Sequence, residues 1–136
     1  MRRRLGDATV ARLATVAADG RPHIVPIAFA HDDEHLYFAV DEKPKRTRDL
    51  KRLRNIAGHP GVSVLVDHYE DDWTRLWWVR VDGVARLIDH DAAAQHAIDL
   101  LVAKYPQYER QRPRGPVVVI EIETMTGWAA DDNPAC

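Results

Sequence analysis

The chain of 136 residues has a single cysteine, Cys136, at its very end, so no disulfide can form within it. That fits a reducing compartment, and a cytoplasmic location is the expectation. No apolar run approaches the roughly 18 residues that a membrane-spanning helix needs. The opening Met1-Arg2-Arg3-Arg4 is basic but has no apolar stretch behind it, so a signal peptide is not expected. Basic excess is also missing. The net charge is −2, which gives no bulk attraction to nucleic acid or to an anionic membrane. There is no glycine-rich phosphate loop and no Ser/His/Asp or Cys/His nucleophile pattern. The seven histidines are too scattered to form a metal set.

What remains is a pattern of short strands. Ala8–Ala17 is apolar and rich in Val, Thr and Leu, and it ends at Asp19-Gly20, a strong hairpin signal. Pro22–Ala30 reads as the returning strand. Pro26 removes a ladder donor from it, which predicts an edge strand or a bulge. After the polar turn at 31–34, His35–Val40 is a third strand, and the three together predict an antiparallel meander.

Thr47–Asn55 predicts a helix with Leu50 and Leu53 on one stripe and Thr47 as its cap. Gly61–Asp67 is a strand and His68–Trp73 a polar loop. Thr74–Leu87 is a long strand bent at Asp82-Gly83, with Val79, Val81 and Val84 expected in the core. Asp89 or Asp91 starts a helix over Ala92–Lys104, whose inner face is Ala94, Ala97, Ile98 and Leu101. Tyr105–Gly115 reads as an irregular polar loop and Pro116–Glu123 as the last strand. The opening 1–8 reads as the end of a helix, with a native start expected further upstream. The tail 131–136 is expected to be disordered. The sum is one domain, 1–130, mainly β with helical decorations. Its six or seven antiparallel strands are most economically closed into a barrel that hides its edges.

Two concentrations of residues carry chemistry. Lys43, Lys45, Arg46, Arg48, Lys51, Arg52 and Arg54 fall within twelve residues of a slightly acidic chain. The first of them precede or open a helix, where exposed N–H groups favour a phosphate. Cations there oppose the helix dipole, so an anionic ligand explains them better than helix stability does. A solvated basic helix face is the alternative. The second concentration is Trp73, Trp77 and Trp78. The adjacent Trp77 and Trp78 point to opposite faces of a strand, one toward the core and the other toward a cleft or a partner chain.

Three segments in order, LATVAADGRPHIVPI, KPKRTRDLKRLRN followed by HPGVSVLVD, and KYPQY…GPVVVIEIETMTGW, give the sequence a resemblance. It resembles the pyridoxamine 5′-phosphate oxidase-like split β-barrels of the FMN-binding type. Within them it is most similar to the actinobacterial flavin/deazaflavin oxidoreductases, branch B, which use coenzyme F420. The resemblance covers Ala8 to Trp128. It implies a homodimer with two cofactor sites at the interface, and F420, with FMN as the alternative cofactor. It also implies hydride transfer between that cofactor and a small unsaturated acceptor, with a cofactor-binding protein without turnover as the other alternative. By the same resemblance Lys43, Lys45, Arg46 and Thr47 hold the cofactor phosphate. The strand Val25, Pro26, Ile27, Ala28 runs along the ring edge, and Trp77 or Trp78 of the other chain covers the pocket. Arg48 and Lys51 are placed by charge alone near an anionic tail. No side chain is assigned as catalytic. The chain has no counterpart to the C-terminal Trp/Arg substrate region of the pyridoxamine oxidases themselves.

Overall fold

The computed structural model describes residues 1–40 and 46–131, with 46–50 described by backbone alone. The chain opens with helix α1, Arg2–Asp7, whose Leu5 is fully buried. Strand β1, Ala11–Val16, and β2, Pro22–Ile27, form the expected hairpin. Its turn places Gly20 at φ 85°, a conformation glycine adopts without strain. Strand β3 is Ala30–His31 and β4 is His35–Ala39. Then come α2, Arg46–Gly58, and β5, Gly61–His68. A 3-10 turn at Trp73–Arg75 leads into β6, Trp77–Ile88. Helix α3, Ala92–Lys104, is followed by α4, Pro106–Arg110, and β7, Val117–Ala129.

All seven strands join one antiparallel sheet in the order β2-β1-β5-β6-β7-β4-β3. The expected meander is therefore wrong. β2 and β3 lie at opposite edges, although only Ala28 and Phe29 separate them in sequence. Three Cα steps span at most about 11 Å, so the two edges must approach each other there. The sheet is curled into the split barrel. Pro26 is on the edge strand, as read, but the β1–β2 register runs unbroken from Ala11↔Ile27 to Val16↔Pro22, so there is no bulge.

Inside the curl, Leu13, Phe29, Leu36, Phe38, Val64, Val79, Val81 and Ile120 form the core. Val84 is a correction. The inward positions of β6 are Val79, Val81, Gly83 and Ala85, so Val84 is one step out of phase with them and faces outward at 39% exposure; the register against β7 shifts between Asp82 and Gly83. Gly83 is required at that step, because a Cβ would collide with the Glu121 carbonyl oxygen. Helix α3 covers the other face of the sheet with Ala94, Ala97 and Ile98 against Tyr37, Ile88, Val117 and Val119, and Leu101 against Ala30 and Tyr105. Asp91 is its cap, accepting from the Ala94 amide at 2.8 Å.

Three other expectations change. The loop after α3 contains α4, begun by Pro106 in the first turn, where its missing N–H costs nothing. β7 continues six residues past Glu123, to Ala129, because β6 is long enough to pair with all of it. β6 begins at Trp77 because Asp72 caps the 3-10 turn before it. The tail 132–136 lies outside the described residues. No described helix is long and apolar enough to cross a membrane.

Candidate cofactor cleft

The site is built where the two sheet edges meet. Beyond β2, Ala28 packs with Ala39, Leu100 and Tyr108 around the buried trio Ala30, Leu101 and Tyr105. Two strand ends far apart in sheet order are thus brought together by α3 and α4. Tyr105 locks the crossing. The Phe29 N–H donates to its hydroxyl at 2.9 Å, and that hydroxyl lies 3.0 Å from the carbonyl oxygens of Thr9 and Phe29. The Phe29 N–H and carbonyl, which lie between strands, are both met by one side chain. Burial pushes the Tyr105 hydroxyl above its usual pKa, against the Phe29 hydrogen bond.

β4 leaves the sheet at Val40, whose N–H donates to the Pro116 carbonyl at 2.9 Å. Beside this exit opens a cleft of about 990 Å³, lined among others by Val40, Gln95, Tyr108, Arg110, Arg112 and Arg114. That volume falls within the range of small-molecule and cofactor pockets. Arg112 is held by Asp99 at 2.5 Å. Arg110 and Arg114 are exposed and have no carboxylate partner among the described residues. These three arginines were missed in the sequence, where the segment read as solvated loop. The available signal was the concentration itself, three arginines within the five residues Arg110–Arg114.

Val40 runs directly into the basic segment. Lys43 and Lys45 lie outside the described residues. Arg46, Thr47 and Arg48 form the first turn of α2, and Lys51 is exposed on its second. The helix lies against β1 and β6. Its far end is fixed by Ile56 in the core and by a buried hydrogen bond from Asn55 Nδ2 to Thr15 Oγ1, 3.0 Å.

Of the four ring-edge candidates, Ala28 reaches the cleft-side cluster. Ile27 is buried in the core, Val25 packs partly against it, and Pro26 is exposed. Their strand has a sheet partner on one side only, so alternate backbone groups on its outer edge are available to a ligand.

Trp77 and Trp78 are not at this cleft in the same chain. They pair with Ala129 and Trp128, at the opposite end of β7 from Val117, which pairs with Ala39. Trp77 has His68 stacked at 6.4 Å and 20°, and the Arg4 guanidinium 5.0 Å from its ring centre. It lines a separate groove of about 630 Å³ beside α1.

Two further groups have perturbed chemistry. Lys104 Nζ sits 3.9 Å from the Phe29 ring centre, without a hydrogen-bond partner among the described residues. Burial lowers its pKa to about 8, against an opposing pull from Asp7. Asp32, in the turn after β3, resists the upward push of burial and is held well below the usual carboxylate range. It accepts from the Tyr37 hydroxyl at 2.7 Å, from the Glu34 and His35 amides, and lies 3.2 Å from His96 Nε2. Among the described residues no group of three His, Cys, Asp or Glu is arranged for a metal.

The pyridoxamine 5′-phosphate oxidase family model matches residues 1–129. The chain belongs to the pyridoxamine 5′-phosphate oxidase family. No protein of curated function matches it in sequence. Among solved structures of this split-barrel shape, a conserved hypothetical protein of Mycobacterium tuberculosis aligns at TM-score 0.75 and 20% identity, over 93% of this chain and 81% of that one. An FAD-binding protein of Mesorhizobium loti aligns at TM-score 0.68 and 26% identity, over 93% and 87%. The haem storage protein HutZ of Vibrio cholerae aligns at TM-score 0.63 and 18% identity, over 93% and 88%. The oxidase-type split barrel is thus one scaffold on which proteins described by different ligands are built.

Proposed function

We propose that this chain is an F420-dependent oxidoreductase. It transfers a hydride between the deazaflavin and a small unsaturated organic acceptor, and works as a cytoplasmic homodimer. The observation that carries the reading is the convergence of Ala28, Ala39 and Tyr108 beside an arginine-lined cleft, at the point where β4 exits into the basic segment. The similarity to an FAD-binding protein supports a flavin-type ligand.

The residues present fit such a group. Lys43, Lys45, Arg46 and Thr47 would hold the phosphate, with the first turn of α2 adding its N–H groups. Arg48 and Lys51 would extend the positive charge toward an anionic tail. The outer edge of β2 and its continuation, Val25 to Ala28, would serve the ring with backbone donors and acceptors rather than side chains. When bound, the deazaflavin supplies the hydride chemistry, and the protein supplies orientation and electrostatics. Backbone N–H groups fixed along β2 would face the ring edge of such a cofactor and would need no reorganisation to stabilise charge there.

The test is a side-by-side fluorescence titration with F420 and FMN, repeated on Lys45→Glu/Arg46→Glu. Selective F420 binding, weakened at least tenfold by the double reversal, is the expected result. Preference for FMN moves the protein to the flavin oxidases or reductases. Unchanged affinity in the reversed variant removes the phosphate assignment. Binding without acceptor-dependent oxidation of reduced cofactor leaves a carrier, the role suggested by the shape shared with a haem storage protein.

A further inference from the structure

The cleft at the β4 exit is charged on one side of the balance only. Its wall carries the guanidinium groups of Arg110, Arg112 and Arg114 and no carboxylate among the described lining residues, in a chain whose net charge is −2. Helix stability explains one of the three. Arg110 closes α4, where a cation complements the helix dipole, but Arg114 lies four residues beyond the helix end and has no dipole to serve. Arg112 has a use within the chain. It holds Asp99 on α3 at 2.5 Å and so ties down the segment that carries the other two. Arg110 and Arg114 flank that tie, exposed and without an ion pair among the described residues.

The donors of this wall are side chains rather than backbone. Pro113 and Pro116 bring no N–H to the segment, and the Gln111 N–H is spent on the Gln107 carbonyl at 3.2 Å. A phosphate is commonly cradled by successive backbone amides, and this segment has few to give. Guanidinium forks suit either anion, and without such a cradle the better match is the flat carboxylate, two oxygens to two parallel N–H groups. Gln95, Gln107 and Gln111 add side-chain amides to the same wall. Ala39, Val40 and Ile98 give it an apolar part. The combination fits a ligand with an apolar body and a carboxylate head.

We propose that this cleft takes organic carboxylates with an apolar body, and that the acceptor reduced by this protein belongs to that class, its carboxylate held by Arg110 and Arg114. The inference rests on the preceding reading for the acceptor's conjugated double bond and adds the charge that selects it. The two arginines bind and orient, and they belong to a different element from the basic set that opens α2.

Isothermal titration calorimetry with trans-cinnamate and its uncharged methyl ester tests it. The two probes share an apolar body and a conjugated double bond and differ in the carboxylate. Wild-type protein saturated with oxidised F420 is expected to bind cinnamate about tenfold more tightly than the ester, the order of one charge-assisted contact. Arg110→Gln/Arg114→Gln removes that preference and leaves the ester's affinity, and the separately titrated affinity for F420, as in wild type. Those two retained affinities also show that the variant is folded. A wild type without the preference, or a preference that survives in the double variant, overturns the carboxylate site. Loss of F420 together with cinnamate in the variant overturns it too, because the arginines then serve the cofactor's anionic tail. So does displacement of cinnamate by inorganic phosphate at equal concentration. The same titrations without cofactor separate this inference from the reading beneath it. A wild type that binds no F420 but keeps the arginine-dependent preference removes the hydride reading and leaves the carboxylate site standing.

Discussion

The Tyr105 hydroxyl takes the backbone N–H of Phe29 at 2.9 Å, across 76 residues of sequence. This one contact ties the end of α3 to the short segment that carries the chain from one sheet edge to the other. It places Ala28 beside the cleft. Tyr105→Phe keeps the ring and its packing but leaves the Phe29 amide unpaired in a buried setting. The expected loss is about 1–3 kcal/mol in denaturant unfolding. On the proposed reading cofactor affinity is expected to fall with it, because the strand end assigned to the ring edge is released.

Asp32 gathers the β3–β4 turn and α3 onto one carboxylate, through Tyr37, His35 and His96. Its folded pKa is depressed below the ordinary 3.8, so the stabilisation is fully present above about pH 4. It is lost as pH falls through the lower folded value. Asp32→Asn is expected to cost about 1–2 kcal/mol at pH 7. The difference between variant and wild type should shrink steadily below pH 4 in urea titrations.

Lys104 has the opposite sign. Its folded pKa of about 8 lies below the ordinary 10.5, so the folded state binds the proton less well than the unfolded one. The cost of burying the ammonium is present in full below pH 8 and is relieved as pH rises toward 10.5. Lys104→Met is therefore expected to stabilise the fold by about 1–2 kcal/mol at pH 7, a figure reduced for partial solvent access. By pH 10.5 the advantage should be largely gone. A gap that is constant across this range would show that packing, not charge, sets it.

Gly83 occupies the step where β6 changes register against β7. Any Cβ there meets the Glu121 carbonyl and the Ile120 side chain, so Gly83→Ala must push two paired strands apart. The expected destabilisation is about 2–4 kcal/mol, at the high end for a single methyl, because the obstacle is backbone. Gly20→Ala is milder, about 1 kcal/mol, since only the turn's positive φ resists it. Thermal unfolding of the pair separates the two mechanisms.

Strands and helices with strong local patterns were legible in the sequence. The inner face of α3 is the one its spacing implied, and Asp19-Gly20 makes the hairpin it announces. Sheet order was not legible, because adjacency in sequence says that β2 precedes β3 and nothing local says that they face away from each other. Val84 lies an odd number of residues from Val79 and Val81, so the alternation that buries those two already puts it on the outer face. The basic cluster was visible as composition, whereas the arginines at and beyond the end of α4 were hidden by a segment without periodic apolar residues. Tyr105, which carries the architecture of the cleft, looked like an ordinary loop aromatic. Its importance comes from contacts 76 and 96 residues away.

The two-residue crossing at Ala28 and Phe29 also answers a hazard common to all open sheets. An edge strand is a template on which a stranger can pair, and β2 carries the exposed Ile24 on its edge. Here the two ends of the sheet are leashed to each other by the shortest of links. The two edges therefore approach each other at this link, beside the cleft at the β4 exit. On the proposed reading a bound cofactor would fill the opening that invites misassembly in an empty chain, and loading would then guard against aggregation as well as supply chemistry.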